Sequence, residues 1–310
     1  MKKLLNTLYI TRQESYLHKD RETIVIKNGD QKLGQFPSLT IGNILCFGQI
    51  SVSPFLMGYC GEQGIGLAFY TEYGRFLARV QGKQTGNVLL RRAQYRWADD
   101  ESRSVAIARL MVAAKIANGR SVLMRELRNH GDNRMLTQAS DKLANSLRRV
   151  KHAKTVAEAM GMEGDAAATY FSIFNELIRE NGFVFGGRVR RPPTDPVNAL
   201  LSFVYSLITQ ECASALQGVG LDPYVGYLHQ DRPGRLSLAL DLLEEFRAPW
   251  ADRFVLTLIN RRQIQLKDFV HEASGAVRLS DDARKALLVA YQERKQVEVM
   301  HPYLQEQVPI

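Results

Sequence analysis

The chain has 310 residues, of which 45% are hydrophobic and 24% are charged, so it can bury two hydrophobic cores and is not a disordered protein. Its three cysteines, Cys46, Cys60 and Cys212, have no CxxC or Cys/His spacing, which argues against a disulfide framework or a structural zinc site. The sequence shows neither a run of 18 apolar residues nor a signal-peptide pattern. We therefore expect a cytoplasmic protein without a membrane span.

The charge is distributed unevenly along the chain. Residues 1–154 hold 25 Lys and Arg against 12 Asp and Glu, whereas residues 155–310 hold 16 against 20. A basic half suits a protein that presents a positive face to a polyanion and keeps carboxylates elsewhere, for example around a cation. A solvated surface has a similar composition, so charge alone leaves nucleic-acid binding open.

The first 96 residues have the pattern of short strands separated by turns, and they hold 11 of the 23 glycines. Residues 23–27 form a β-branched run, and the Asn28-Gly29 pair after it predicts a hairpin because both residues tolerate positive φ. Residues 44–47 predict a further strand. We therefore predict a small β-sheet domain over residues 1–96.

From about residue 100 onward the sequence predicts helices. Apolar residues at helical spacing predict a first helix that ends at Asn118-Gly119; they are Ile107, Leu110, Met111 and Ala114. Thr155-x-x-Glu158 has the form of a capping box, and Asp195-Pro196 predicts the start of a helix that runs to Gly218. The predicted fold class is α+β, with the small N-terminal β-sheet domain followed by a larger all-α domain over residues 97–310.

Glu163 is the first candidate for chemistry. We expect Gly161 to break the helix that starts at Thr155, and a new helix to run from near Glu163 to Asn181-Gly182. Glu163 lies four residues before Ala167 on the apolar stripe of that helix, so it should face inward. An ordinary acidic residue in the first turn, favoured by the helix dipole, is the alternative.

The second candidate site combines His229 with a buried helix that follows it. The helix has its own leucines on nearly every side, and Asp241 and Glu244 lie one turn apart on one of its faces. Buried carboxylates are costly without a cation, so either Arg247 pairs with them or a metal ion does. His229 alone is more typical of a hydrogen-bonded core histidine. One inward glutamate, one histidine and this acidic pair together suit Mg²⁺ or Mn²⁺ better than zinc.

These motifs lie in four runs, residues 161–171, 193–205, 220–229 and 240–247, which resemble the CRISPR-associated integrases, the metal-dependent endonucleases of spacer acquisition. Within that family the resemblance is to subtype I-C members. The runs at residues 48–53 and 74–77 are similar to the family's N-terminal domain. The resemblance implies an N-terminal β domain for dimerisation and DNA contact, followed by an all-helical catalytic domain.

The resemblance also implies an activity and partners. A homodimer would assemble with a small ferredoxin-like CRISPR-associated subunit and insert short double-stranded DNA duplexes into the CRISPR repeat array by transesterification from a 3′-hydroxyl. Glu163, His229 and Glu244 match the family's metal ligands and Asp241 a further catalytic acid, although many members have aspartate where Glu244 stands. The implied cofactor is Mg²⁺ or Mn²⁺.

Basic residues near these motifs are candidates for phosphate contacts without base reading. They are Arg148, Arg149, Lys151, Arg188, Arg190, Arg191 and Arg247. Two alternatives stay open at this point. One is a purely hydrolytic, structure-selective DNA nuclease, which would use the same ligands with water as the nucleophile. The other is a non-catalytic DNA-binding scaffold, in which the acidic pair binds Arg247 and His229 is a structural hydrogen-bond donor.

Overall fold

Short strands and one helix build the N-terminal part of the chain. The computed structural model describes residues 6–82, 88–300 and 305–309, so the part of the signal-peptide prediction that concerns residues 1–5 lies outside the described residues. The strands are β1 (Asn6–Ile10), β2 (Ser15–Asp20), β3 (Thr23–Asn28), β4 (Gln31–Pro37), β5 (Ile41–Phe47), β6 (Ser51–Val52), β7 (Gly66–Tyr70) and β8 (Phe76–Val80), and helix α1 spans Pro54–Gln63.

Within the described residues these strands form two sheets, in the orders β1-β5-β7-β8 and β4-β3-β2-β6. Strand β5 pairs in parallel with β1 and β7, whereas β7 and β8 are antiparallel. The core between the sheets and α1 includes the fully buried Leu17, Ile44 and Leu56. The hairpin predicted at Asn28-Gly29 is confirmed, since Gly29 has a φ of 55° and joins the antiparallel β3 and β4.

The described residues from Ser280 onward belong to this same compact unit, whose limits are Met1–Thr85 and Ser280–Ile310. Helix α9 (Asp281–Lys295) starts at Ser280, whose hydroxyl accepts from the backbone N–H of Ala283. Arg284 of α9 is buried and donates to the backbone carbonyl of Glu72. The antiparallel strands β11 (Glu298–Met300) and β12 (Gln307–Pro309) follow α9.

The second compact unit, Gly86–Leu279, is mostly helical and holds the candidate site. A π-helix over Arg247–Asp252 joins the helix Ser237–Phe246 to the helix Arg253–Asn260. Strands β9 (Phe269–His271) and β10 (Val277–Leu279) pair near the end of this compact unit. The helices are α2 (Val88–Asp99), α3 (Glu101–His130), α4 (Arg134–Val150), α5 (Val156–Ser172), α6 (Pro196–Gly218), α7 (Ser237–Phe246) and α8 (Arg253–Asn260). The predicted fold class, a β-sheet region followed by a mostly helical part, is confirmed.

Two predicted helix breaks are wrong. Gly119 lies inside α3 and is buried, and a Cβ there would meet the ring of Tyr170 at 3.5 Å. Gly161 lies inside α5, which runs without interruption to Ser172 and ends there, not at the predicted Asn181-Gly182. Glu163 is therefore in the middle of a helix and not in its first turn. A glycine costs a helix interior only about 1 kcal/mol relative to alanine, which packing of the flanking turns offsets.

The predicted helix starts agree with the structure. The Thr155 hydroxyl accepts from the N–H of Glu158, and the Glu158 carboxylate in turn accepts from the N–H of Lys154. The Asp195 carboxylate accepts from the N–H of Asn198 and begins α6, which ends at Gly218 as expected. Helix α6 is long and apolar enough to cross a membrane, but 67% of its most apolar window is buried inside the structure, as in the core helix of a globular protein.

The division into compact units differs from the predicted boundary between residues 96 and 97. Helix α2 lies in the helical unit because Gln94, which is buried, and Tyr95 both hydrogen-bond to Asp222. The segment from Ser280 onward clusters with the β unit. The roles of dimerisation and DNA contact for the β domain stay predictions.

Candidate metal centre

Glu163 and Glu244 meet at one lysine in the helical unit. Lys115, in the middle of α3, forms an ion pair with Oε1 of Glu163 on α5, and its Nζ lies 2.7 Å from Oε2 of Glu244 on α7. The side chain of Glu244 is 3% exposed, that of Lys115 13% and that of Glu163 24%. Three different helices therefore bring two carboxylates and one ammonium into a mostly dry site.

Glu244 has a second cation beside it. Nη2 of Arg247 lies 3.1 Å from Oε1 of Glu244. Burial alone would raise the pKa of Glu244, but Arg247 and Lys115 outweigh burial and hold it below its ordinary value, and His229 adds a smaller effect in the same direction. Glu244 is thus an ionised carboxylate in the interior, stabilised by the cations around it.

Asp241 holds His229 and its loop. The Asp241 carboxylate is fully buried and accepts from the backbone N–H groups of Tyr227 (2.7 Å), Leu228 (2.9 Å) and His229 (2.9 Å). It also lies 2.7 Å from Nδ1 of His229. Because an ionised carboxylate only accepts, Nδ1 carries the proton, and in the neutral imidazole Nε2 keeps a lone pair for another partner. Asp241 therefore orients the imidazole.

The loop that carries His229 is packed tightly against α7. A Cβ on Gly226 would lie 2.8 Å from Oδ2 of Asp241 and 2.9 Å from Ser237, so only glycine lets the backbone approach this closely. Gln94 of α2 fixes the start of the loop, since its amide donates to the carbonyls of Asp222 (2.7 Å) and Val225 (2.9 Å). The position of His229 is thus set from both sides.

The carboxylates fit a divalent cation in their chemistry. Two carboxylates that already share one cation are the oxygen donors that Mg²⁺ and Mn²⁺ prefer, and an imidazole whose Nδ1 is oriented by a buried carboxylate is a common ligand of metal ions in general. Among the described residues, no three His, Cys, Asp or Glu side chains are close enough to hold a metal ion as they stand. Lys115 lies between the two glutamates instead.

An open cleft of about 570 Å³ adjoins these residues. Lys115 and Glu163 form part of its wall, as do Arg188, Arg190 and Arg247. Arg188 is anchored to α6, where it donates to Oδ1 of Asn198 (2.6 Å) and Oγ of Ser202 (3.0 Å). Of the arginines predicted to contact DNA, these three therefore lie at the cleft, with Arg247 also paired to Glu244.

The other predicted DNA contacts are exposed. Arg191 follows the cleft arginines along the chain, and Arg148, Arg149 and Lys151 lie at and just beyond the end of α4. Their roles stay predictions. The three cysteines are free and buried, and burial raises the pKa of the thiols of Cys46 and Cys212 to about 12 and of Cys60 to about 11.

A buried polar layer under the site was not predicted from the sequence. The Tyr205 hydroxyl donates to Oδ1 of Asp252, at 2.5 Å, and both residues are buried. The guanidinium of Arg247 lies over the Tyr205 ring, 5.0 Å from its centroid. Arg247 thus stacks on an aromatic ring and also pairs with Glu244.

Asp252 should make stability depend on pH. Burial raises its pKa from 3.8 to about 6. The folded protein therefore retains this proton over a range in which the unfolded chain has lost it, so stability falls as pH rises from about 4 to 6 and then levels. We expect the unfolding free energy of the wild type, relative to that of Asp252→Asn, to fall by about 2 kcal/mol between pH 4 and 7. Urea unfolding of both proteins at several pH values measures this, and a difference independent of pH would contradict it.

Sequence signals for the missed residues are weak. Lys115 lies next to the buried Ile116 in a stretch rich in alanine, and Asp252 follows the buried Trp250 and Ala251. Charged residues within apolar stretches are the pattern that could have indicated buried ion pairs. Their partners, however, are far away in the sequence.

The chain matches the model of the family described as CRISPR associated protein Cas1 over residues 8–293. It belongs to the Cas1 family. The chain is 50% identical to the CRISPR-associated endonuclease Cas1 1 of Chlorobaculum tepidum, over its whole length and 92% of that protein. This confirms the predicted family, whereas the subtype stays a prediction.

Solved structures agree with the Cas1 fold. A CAS1 protein from Thermotoga maritima superposes with a TM-score of 0.82 at 26% identity, over 93% of this chain and 90% of that one. A chain from a structure titled as a Cas6-RT-Cas1–Cas2 complex superposes with a TM-score of 0.80 at 25% identity. That match covers 96% of this Cas1-family chain and 33% of the other, much longer one.

Proposed function

We propose that this chain is a divalent-metal-dependent DNA integrase and endonuclease that inserts short duplexes into a CRISPR repeat array. The observation that carries the proposal is the meeting of Glu163 and Glu244 at one cation beside an arginine-lined cleft. Curated relatives named as CRISPR-associated endonucleases support an enzyme of this class. The insertion reaction would take place in the cytoplasm, on the DNA of the repeat array.

In this proposal Glu163, His229 and Glu244 hold the divalent ion, Mg²⁺ or Mn²⁺. The ion would supply positive charge that activates the attacking hydroxyl and stabilises charge on the attacked phosphate. Asp241 orients the imidazole through Nδ1, and Arg247 fixes the carboxylate of Glu244. Both act as positioning residues for the ligands.

The reaction is an exchange of one phosphodiester for another. The oxygen of a 3′-hydroxyl at the end of the short duplex attacks a phosphorus in the repeat strand. The bond from that phosphorus to the 3′-oxygen of the leaving strand breaks. The attacking hydroxyl gives its proton to water, and the leaving 3′-oxygen takes one up from water. The arginines of the cleft, Arg188 and Arg190, would bind the phosphates that flank the attacked one. Water in place of the hydroxyl would give cleavage.

The β unit offers a second surface for DNA. An open depression of about 470 Å³ on it is bordered by exposed rings and cations. Phe55 is 85% and Tyr16 43% exposed, and Lys19, Arg21 and Lys27 lie around the same depression. Aromatic rings beside cations suit the bases and phosphates at a DNA end. This supports the predicted role of the β domain in DNA contact.

We further propose a homodimer that assembles with a ferredoxin-like subunit. One similar chain belongs to a structure titled as a Cas6-RT-Cas1–Cas2 complex, which supports a Cas partner for this chain. Such an assembly would place the sites of different copies on one duplex. Size-exclusion chromatography with light scattering, with and without the subunit, measures this stoichiometry.

A strand-transfer assay tests the proposal. The purified protein is mixed with a short labelled duplex that has free 3′-hydroxyls and with a supercoiled target, alone and with the ferredoxin-like subunit. We expect Mn²⁺ or Mg²⁺ to support joining of the label and a chelator to stop it. His229→Ala and Glu163→Gln should each reduce joining to background, because each removes a ligand.

Matched controls separate ligand loss from general damage. Asp165→Asn changes an exposed carboxylate on the same helix as Glu163, and His152→Ala changes an exposed histidine. Both controls should keep wild-type joining. Metal-dependent cleavage without joining under every condition would favour the purely hydrolytic nuclease.

One observation favours the scaffold alternative. Glu244 already pairs with Lys115 and Arg247, and Asp241 is satisfied by backbone N–H groups, so these acids have structural partners without a metal. The same assay decides between the two readings. The scaffold hypothesis would hold if the protein bound DNA with a steep salt dependence but joined none, and if neither ligand substitution changed this binding.

A further inference from the structure

Lys115 contacts both carboxylates that the proposed function assigns to a metal ion. Its ammonium pairs with Oε1 of Glu163 and lies 2.7 Å from Oε2 of Glu244. It reaches them from α3, a helix that carries none of the proposed ligands. The side chain is 13% exposed, so this charge is held in the site and is not a passing surface contact.

A divalent ion and this ammonium compete for the same oxygens. Two carboxylates in a mostly buried site repel each other unless a cation lies between them, and Lys115 meets that need while no metal is bound. A divalent ion at the same oxygens would face the ammonium at close range, and their repulsion is strong where water is scarce. Both cations cannot be bound fully by Glu163 and Glu244 at once.

The cleft offers Lys115 another position. Lys115, Glu163, Arg188 and Arg190 line one continuous space of about 570 Å³. The proposed function places DNA phosphates in this space. A lysine has a long flexible stem and binds phosphate as a point charge, so a modest rotation would move the ammonium from carboxylate to phosphate.

We propose that Lys115 is an exchangeable counter-ion that couples metal binding to DNA binding. It neutralises Glu163 and Glu244 in the metal-free protein and pairs with a DNA phosphate when a divalent ion occupies the carboxylates. The two ligands then help each other to bind, by the same factor in each direction. The inference rests on the proposed function, since it needs both a metal ion and DNA at this site.

Mn²⁺ titration calorimetry on the full-length protein tests the competition. Lys115→Met keeps the apolar stem and removes the charge, and it should bind Mn²⁺ about tenfold more tightly than the wild type in the absence of DNA. A lysine that only supports the fold would give the opposite sign, weaker Mn²⁺ binding on its removal. Arg125→Met, which removes a charge from an exposed position of the same helix, should leave Mn²⁺ affinity unchanged.

The coupling is measured with a short duplex present. Wild-type protein should bind Mn²⁺ about tenfold more tightly with duplex than without, and Lys115→Met should lose most of this gain. Lys115→Arg keeps the charge and is a second test if the methionine variant folds poorly. Since a guanidinium pairs more firmly with carboxylates, the arginine variant should bind Mn²⁺ no more tightly than the wild type.

Unchanged or weaker Mn²⁺ binding by Lys115→Met would overturn the inference, as would tighter binding by Lys115→Arg. Either result would leave the proposed function intact as long as the wild type binds Mn²⁺ and Glu163→Gln abolishes this binding. If neither the wild type nor Lys115→Met binds Mn²⁺, the proposed metal site and the inference fail together.

Discussion

Glu244→Ala is expected to lower the unfolding free energy by about 3–5 kcal/mol and to reduce DNA joining to background. Removal of one partner from a buried ion pair leaves the other charge uncompensated, and here two cations, Lys115 and Arg247, lose the same carboxylate. Urea unfolding at pH 7 measures the loss, with an unchanged m-value showing that the unfolded state is the same. The strand-transfer assay measures the second effect.

The neighbouring residue supplies a matched control. Glu245 is next in the chain, but burial raises its pKa and no ion pair shifts it the other way. Glu245→Ala should therefore cost less than about 1 kcal/mol and leave joining in place. Equal losses for the two variants would contradict the ion-pair account.

The two glutamates should also differ in the sign of their pH dependence. The pKa of Glu244 is lowered, so its stabilising contribution is present above its ordinary pKa and is lost as the pH falls through the lower, folded value. The pKa of Glu245 is raised, so its contribution is largest in acid and falls as the pH rises through its folded value. The gap in stability between Glu244→Ala and the wild type should therefore narrow in acid.

Local signals predicted the ends of several elements well. Asn28-Gly29 and Asp195-Pro196 act through the backbone of a few neighbouring residues, so short sequence patterns contain the information. Gly119 and Gly161 failed as helix breaks because the continuity of a helix depends on packing along its whole length. Gly119 has a packing role against Tyr170 that no local pattern shows.

The apolar residues that predicted α3 do not mark its buried face. The helical spacing was correct, yet Leu110 is 71% exposed, whereas Ala108, Val112 and Leu123 are fully buried. An alanine-rich helix has no strong apolar contrast around its circumference, so the sequence defines the period better than the face. Lys115 could not be found for a different reason, because its partners Glu163 and Glu244 come from two other helices.

Candidate acids were placed correctly in part. Asp241 and Glu244 were expected one turn apart on one face of a buried helix, and both are buried in α7. What the spacing could not show is that they have different partners. Asp241 takes its partners from the loop that carries His229, whereas Glu244 takes the two cations.

Asp241→Asn is expected to lower the unfolding free energy by about 2–4 kcal/mol and to reduce joining about 10- to 100-fold. The amide presents N–H donors where backbone N–H groups and Nδ1 of His229 now donate, so buried donors lose their acceptor. The imidazole also loses the partner that fixes its tautomer. Loss of a group that orients a metal ligand typically reduces metal affinity or activity by this 10- to 100-fold factor. Urea unfolding and the strand-transfer assay measure the two effects separately.

A double-mutant comparison shows whether Asp241 acts through His229. If it does, His229→Ala with Asp241→Asn should join DNA no worse than His229→Ala alone, because the imidazole that Asp241 orients is already gone. The losses of stability should still differ, since the carboxylate also holds the backbone N–H groups of Tyr227 and Leu228. If Asp241→Asn reduced joining further in the absence of His229, Asp241 would contact the reacting groups itself and would be a catalytic residue in its own right.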